Sequence, residues 1–195
     1  MPLSLLVFYG SYREVRAGIR LADYGVAQLA ARGHVVELID ARAVGLPMLD
    51  RRYLDYGPGE APEAMETLAR KLLAADGFVF VAGEYNWGMQ PGLKNLVDHY
   101  GKEWYGRPAG ILSYSAGRMA GARSNSAWHP TLTGLGMAII PRTITVGTID
   151  TALDETASPI GEGGAALDRA FPAFADALEW WCEAAKAKRE ASEAG

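Results

Sequence analysis

Polar, basic and aromatic side chains crowd three short stretches of this 195-residue chain, each following an apolar run. They are "GSYREVR" from Gly10, "GEYNWG" from Gly83 and "SAGRMAGAR" from Ser115. In the first, Gly10 permits a tight turn, Ser11 offers a hydroxyl, and Arg13, Arg16 and Arg20 recur at spacings of three and four. At the start of a helix those arginines share one face. Free N–H groups and the positive end of the helix dipole make such a start an anion site, and guanidinium forks match phosphate oxygens. A capped surface helix with solvated arginines accounts for the same residues. The second stretch sets a carboxylate (Glu84), a phenol (Tyr85), an amide (Asn86) and an indole (Trp87) side by side. In the third, Gly117 and Gly121 leave the backbone accessible beside Ser115, while Arg118 and Arg123 add positive charge.

Other chemistries lack their residues. Neither "GxxxxGK[ST]" nor "GxGxxG" follows a strand-like run, which disfavours Walker-type hydrolysis and the dinucleotide fingerprint. Ser115 in "SYSAG" occupies the serine slot of a nucleophile elbow, but the first glycine is missing. That triad needs an acid and then a histidine, and the last histidine, His129, follows Ser115 by fourteen residues with no Asp or Glu between. His34, His99 and His129 are dispersed and Cys182 is alone, so no metal site is expected. A response-regulator domain needs acidic residues where Gly10 and Ser11 stand.

Positioning the three stretches falls to two alternating periods. "LSLLVFY", "HVVELID", "GFVFVA", "AGILSYS" and "TITVGTI" read as strands. Val15, Ile19, Ala22, Val26 and Leu29 form one helix face that ends at Gly33; Met65, Leu68 and Leu72 mark a second helix, with Pro62 near its first turn. A short helix from Leu93 to Tyr100 and a stripe of Trp128, Leu132 and Leu135 follow. A long helix carrying Leu167, Phe171, Phe174, Leu178, Trp181 and Ala185 closes the chain, which puts Trp181 in the core and Trp180 at the surface or an interface. Five strand–helix units with apolar strands predict an α/β, flavodoxin-like doubly wound fold. Its five-stranded parallel sheet has order 2-1-3-4-5 and helices on both faces. The three polar stretches then stand at neighbouring strand ends, where strand order reverses.

Residues 1–195 are expected to form a single domain, and 49% hydrophobic residues suffice for a full core. A net charge of −4 gives no sign of a nucleic-acid or anionic-membrane surface. The lone Cys182, and an N-terminal apolar run of residues 3–9 too short to span a membrane, suit a cytoplasmic protein. Tyr100, Trp104 and Tyr105 exceed what a surface connection needs; they either fold inward or meet a partner subunit. "KAKREASEAG" reads as a frayed helix end.

One loop for a phosphate and two bordering a flat polar ring suit a phosphorylated planar cofactor, for which FMN is the natural candidate. A family resemblance rests on the same residues. "EYNWGMQPGLKN", completed by Asp98, is similar to the "EYNxGxxxxLKNxxD" motif of the NAD(P)H-dependent FMN reductases, which include chromate, quinone and azo-dye reductases. "GSYREVR" resembles their "GSxRxxS" phosphate loop and "SAGRMAGAR" their glycine-rich third flavin loop, so the similarity spans roughly residues 3–146. It implies that Ser11, Arg13 and Arg16 bind the FMN phosphate. Glu84, Tyr85 and Asn86 would border the isoalloxazine largely through backbone groups, Trp87 would sit beside it, and Ser115 and Gly117 would complete its polar edge. No side chain is expected to be catalytic in its own right. The chain departs from the family at Gly83, where many members have Pro and where a looser loop is expected, and at Arg16 and Gly18, which replace small polar residues.

The activity implied is hydride transfer from NADPH or NADH to FMN, then two electrons to a quinone, azo, metal-ion or flavin acceptor. The resemblance also implies homodimers or homotetramers built as dimers of dimers, which favours the partner-subunit reading of Tyr100, Trp104 and Tyr105. A non-catalytic FMN electron carrier would use the same loops and is the alternative reading.

Overall fold

Leu5, Val7 and Tyr9 face one side of the first strand while Leu6 and Phe8 face the other, and all five are buried. A strand buried on both faces needs a helical layer on each side, and the computed structural model, which describes residues 1–193, has both. The strands are β1 (Ser4–Tyr9), β2 (Val35–Asp40), β3 (Gly77–Gly83), β4 (Pro108–Tyr114) and β5 (Ala138–Val146). They pair in parallel in the order β2-β1-β3-β4-β5, the doubly wound order expected.

The helices are α1 (Ile19–Ala31), α2 (Ala41–Val44), α3 (Glu63–Ala74), α4 (Pro91–Asp98), α5 (Ala122–Gly134), α6 (Ile149–Ala152) and α7 (Gly161–Glu193). α1 and α7 cover the face that carries Val7, Val79 and Leu112; α3, α4 and α5 cover the face that carries Phe8, Phe78 and Phe80. On the second face Phe8 stacks on Phe80 at 5.1 Å, and Trp104 meets Phe78 edge-on at 5.1 Å. Such pairs add to simple burial.

Four details differ from the pattern read in the sequence. α1 begins at Ile19, so Val15 is not on its apolar face and is 80% exposed. Tyr100 and Trp104 fold inward, with the Trp104 indole N–H donating to the Val97 carbonyl at 3.2 Å; only Tyr105 stays outside. Apolar area left in solvent would be costly, and the core had room for both rings. On α7 the core position belongs to Cys182, while Trp181 is 37% exposed and packs edge-on against Trp180. The small thiol fits because α7 runs close to the sheet: a Cβ added at Gly77 would lie 2.2 Å from the Cys182 Sγ.

The fourth difference is the C-terminal segment. It is helical through Glu193, and Lys186 and Arg189 both donate to the buried Asp76 at 3.0 and 3.2 Å, which anchors what had read as a frayed end. The last two residues of "KAKREASEAG" lie outside the described residues. Asp76 also accepts from the Ser4 N–H, so one carboxylate ties α7 to the starts of β1 and β3.

The close approach at Gly77 gives a direct test. Gly77→Ala should destabilise the protein by about 1–3 kcal/mol through overpacking. Adding Cys182→Ala should recover most of that loss; in urea denaturation, two additive losses would show that the residues are not in contact.

Candidate functional site

The chain leaves β1 for β2 on one side and β3 for β4 on the other, so no crossover helix closes the space above the carboxyl ends of β1 and β3. A cleft of about 450 Å³ lies there. It brings together Ser11, Arg13, Arg16, Glu84, Tyr85, Asn86 and Ser115; Trp87 and Gly117 are not in its lining.

Because α1 starts late, the segment after β1 is an irregular loop, and only Arg20 of the three spaced arginines stands on the helix. Arg20 turns to the Leu153 carbonyl and lies 3.7 Å from Asp150. Arg16 forms a 2.6 Å ion pair with Asp40, and it also donates to the Ser11 carbonyl. Asp40 in turn caps α2 by accepting from the Arg42 N–H at 3.1 Å. Arg42 donates to the Arg13 carbonyl and the Tyr12 hydroxyl to the Ala41 carbonyl, so the loop is strapped to the β2–α2 corner.

Two features of this loop suit an anion. Among the described residues, the N–H groups of Glu14, Val15, Arg16, Ala17 and Gly18 donate to no protein acceptor, and the Arg13 guanidinium has no ion pair. α1 also has no side-chain cap and no acidic residue in its first turn, which leaves its dipole uncompensated. Ser11 is buried, with its hydroxyl 2.7 Å from that of Tyr85, a bond that joins the first loop to the loop after β3.

The loop after β3 is a tight hairpin. Tyr85 and Gly88 exchange backbone hydrogen bonds of 3.0 and 2.9 Å around Asn86 and Trp87, whose φ angles are 46° and 68°. Two successive positive φ values make a type I′ turn, a conformation that asparagine tolerates and tryptophan resists. Trp87 is held there by Arg123, whose guanidinium carbon lies 3.8 Å from the ring centroid. Glu84 fixes Arg123 through its N–H and guanidinium, both at 3.1 Å, so the Glu84 carboxylate is neutralised. Trp87 itself is 73% exposed.

After β4, the Ser115 hydroxyl donates to the Gly117 carbonyl at 2.7 Å, and the Thr148 N–H donates to that same oxygen at 3.1 Å. A Cβ at Gly117 would meet nothing within 4 Å, so the backbone there is open to approach.

The floor of the cleft contains Tyr9 and Tyr114, neither of which had been singled out. Both are buried, and burial pushes their phenols above the usual range, so they stay protonated. Behind them Gln90, fully buried, donates to the Tyr114 oxygen at 2.8 Å. Gly83 makes this possible, because a Cβ there would fall 2.6 Å from the Gln90 amide and 2.8 Å from the Tyr114 ring. The expected looseness at Gly83 is therefore corrected: the glycine permits close packing. The signal lay in Gly18 and Gly83, which together clear space for one ring.

Known proteins resemble this chain at two levels. The family model for NADPH-dependent FMN reductase matches residues 3–151. An NAD(P)H-dependent FMN reductase of Schizosaccharomyces pombe is 36% identical over 190 residues, covering 90% of each chain. One of Saccharomyces cerevisiae is 31% identical over 158 residues, covering 73% of this chain and 82% of its own. Among solved structures, FerB, a flavoenzyme NAD(P)H:(acceptor) oxidoreductase of Paracoccus denitrificans, superposes with a TM-score of 0.70. It covers 91% of this chain and 97% of its own at 22% identity, a likeness of fold.

The strained turn makes a prediction of its own. With Arg123→Ala removing the stacked cation, Trp87→Gly should stabilise the protein by about 1–2 kcal/mol, the cost of holding a side chain in the left-handed region. A loss of stability in that background, read by urea denaturation, would mean that the indole makes other contacts that matter.

Proposed function

We propose a function that starts from kinship: this chain belongs to the NADPH-dependent FMN reductase family. It is an oxidoreductase that binds FMN in the cleft above β1, β3 and β4 and uses NADH or NADPH as co-substrate. The observation that supports this most is the run of unpaired N–H groups from Glu14 to Gly18 beside the unpaired Arg13, in a cleft whose volume of about 450 Å³ suits a small-molecule site. Two acids beside the loop are paired, Asp40 with Arg16 and Glu84 with Arg123, which leaves the Arg13 guanidinium and the loop N–H groups to receive a phosphate.

In this reading the loop N–H groups, Ser11 and Arg13 hold the phosphate. Arg16 keeps the loop in shape through Asp40. Tyr85 and Asn86 border the ring through their backbone, Ser115 and the open backbone at Gly117 its polar edge, and Trp87 the rim. FMN held there would supply the redox chemistry, hydride acceptance from a nicotinamide and two-electron reduction of a second small molecule. The protein's residues bind, orient and exclude water; none is needed as a nucleophile. The acceptor is a quinone, azo compound, metal ion or flavin.

A groove of about 360 Å³, lined by Tyr12, Leu46, Met48 and Pro91 among others, shares Arg13 and Tyr85 with the cleft; kinship with the family is what supports a homodimer or dimer of dimers. Among the described residues no helix is long and apolar enough to cross a membrane, and the buried Cys182 thiol suits a cytoplasmic setting.

Adding NADPH or NADH anaerobically to purified protein should bleach a bound flavin spectrum within seconds. Flavin that stays oxidised would indicate an electron carrier, and no flavin binding even after reconstitution with FMN would end the reading. Arg13→Ala should weaken FMN binding by about 1.5–3 kcal/mol, the worth of a hydrogen bond to a charged group, read by flavin fluorescence titration.

A further inference from the structure

Tyr114 closes β4 with its phenol inside the cleft, and the chain gives up two side chains to admit it. A Cβ at Gly18 would lie 1.9 Å from the Tyr114 Cζ and 2.2 Å from its oxygen; one at Gly83 would lie 2.8 Å from the Cζ. The phenol therefore ends against Gly18, the N-cap of α1, next to the unpaired N–H groups of the first loop.

The hydrogen bonds of this hydroxyl are unbalanced. Gln90 donates its amide N–H to the Tyr114 oxygen at 2.8 Å, while its own Oε1 is buried without a partner. The proton of Tyr114 points to the Tyr9 oxygen at 3.5 Å, well beyond the ~2.5–3.0 Å of a good O–H···O bond. Tyr114 is only 7% exposed, so bulk water is a poor substitute partner. A buried donor without a good acceptor is costly, and the cleft that it lines is where an acceptor would sit. Gln90 also fixes the phenol's position from behind, and burial keeps it protonated and able to donate.

We infer that the Tyr114 hydroxyl donates to a phosphate oxygen of the bound cofactor, and so makes the cleft selective for FMN over the unphosphorylated flavin. The inference rests on reading the cleft as an FMN site. It assigns this selectivity partly to a strand-end side chain outside the phosphate loop, with Gln90 as its positioning residue.

The test compares FMN and riboflavin binding, by flavin fluorescence quenching, to the wild-type protein and to Tyr114→Phe, which keeps the ring and its packing. The expected result is a loss of about tenfold or more in FMN affinity with riboflavin affinity unchanged, and retained riboflavin binding reports an intact cleft. Equal loss for both flavins, or no loss for either, would overturn the assignment of Tyr114. Failure of the wild-type protein to bind FMN would overturn the reading of the cleft itself, and the inference with it.

Discussion

Strand order reverses between β1 and β3, and most of what is distinctive here follows from that reversal. Every other gap in the sheet is bridged by chain that continues in one direction and packs a helix over it. At the reversal the crossovers diverge, and the loops after β1, β3 and β4 are left to line a crevice. Loops cannot use a hydrophobic layer to hold themselves, so this protein holds them with specific polar bonds. Arg16 and Asp40 strap the first loop to the β2–α2 corner, Ser11 meets Tyr85 across the crevice, and Glu84 and Arg123 bind the second loop to α5.

Charge pairing in these straps has a second effect. Unpaired carboxylates at Asp40 and Glu84 would oppose an anion in the crevice. With those two acids matched to arginines, the Arg13 guanidinium, the loop N–H groups and the start of α1 are left to favour an anion. The protein carries a net charge of −4, yet it gathers anion-binding donors at one place. That separation of global from local charge is the electrostatic basis of the proposed cofactor site.

Much of the fold was legible because its signals are local or periodic. Uninterrupted apolar strands imply cover on both faces, and five alternating units imply a parallel doubly wound sheet. The misreadings came from competition between neighbours that a period cannot resolve. Arg13, Arg16 and Arg20 have helical spacing, but the helix begins only at Ile19, and the first two arginines act from a loop. Trp181 has the right phase on α7, yet Cys182 takes the core because the helix runs too near Gly77 for an indole. Tyr100 and Trp104 resembled an interface, but a nearby aromatic cluster offered them full burial.

The sequence by itself determined the sheet, the order of its strands and the three stretches that meet at the crevice, since residue type and period decide which segments become strands and which strand ends carry polar loops. Only the tertiary structure decided what each side chain does there. It committed Glu84 to Arg123 and Arg16 to Asp40, left Arg13 unpaired, and turned Gly18 and Gly83 from loop residues into the space for Tyr114. The reason is that a hydrogen bond or a close contact depends on distances between residues far apart in the chain, and no local pattern encodes those distances.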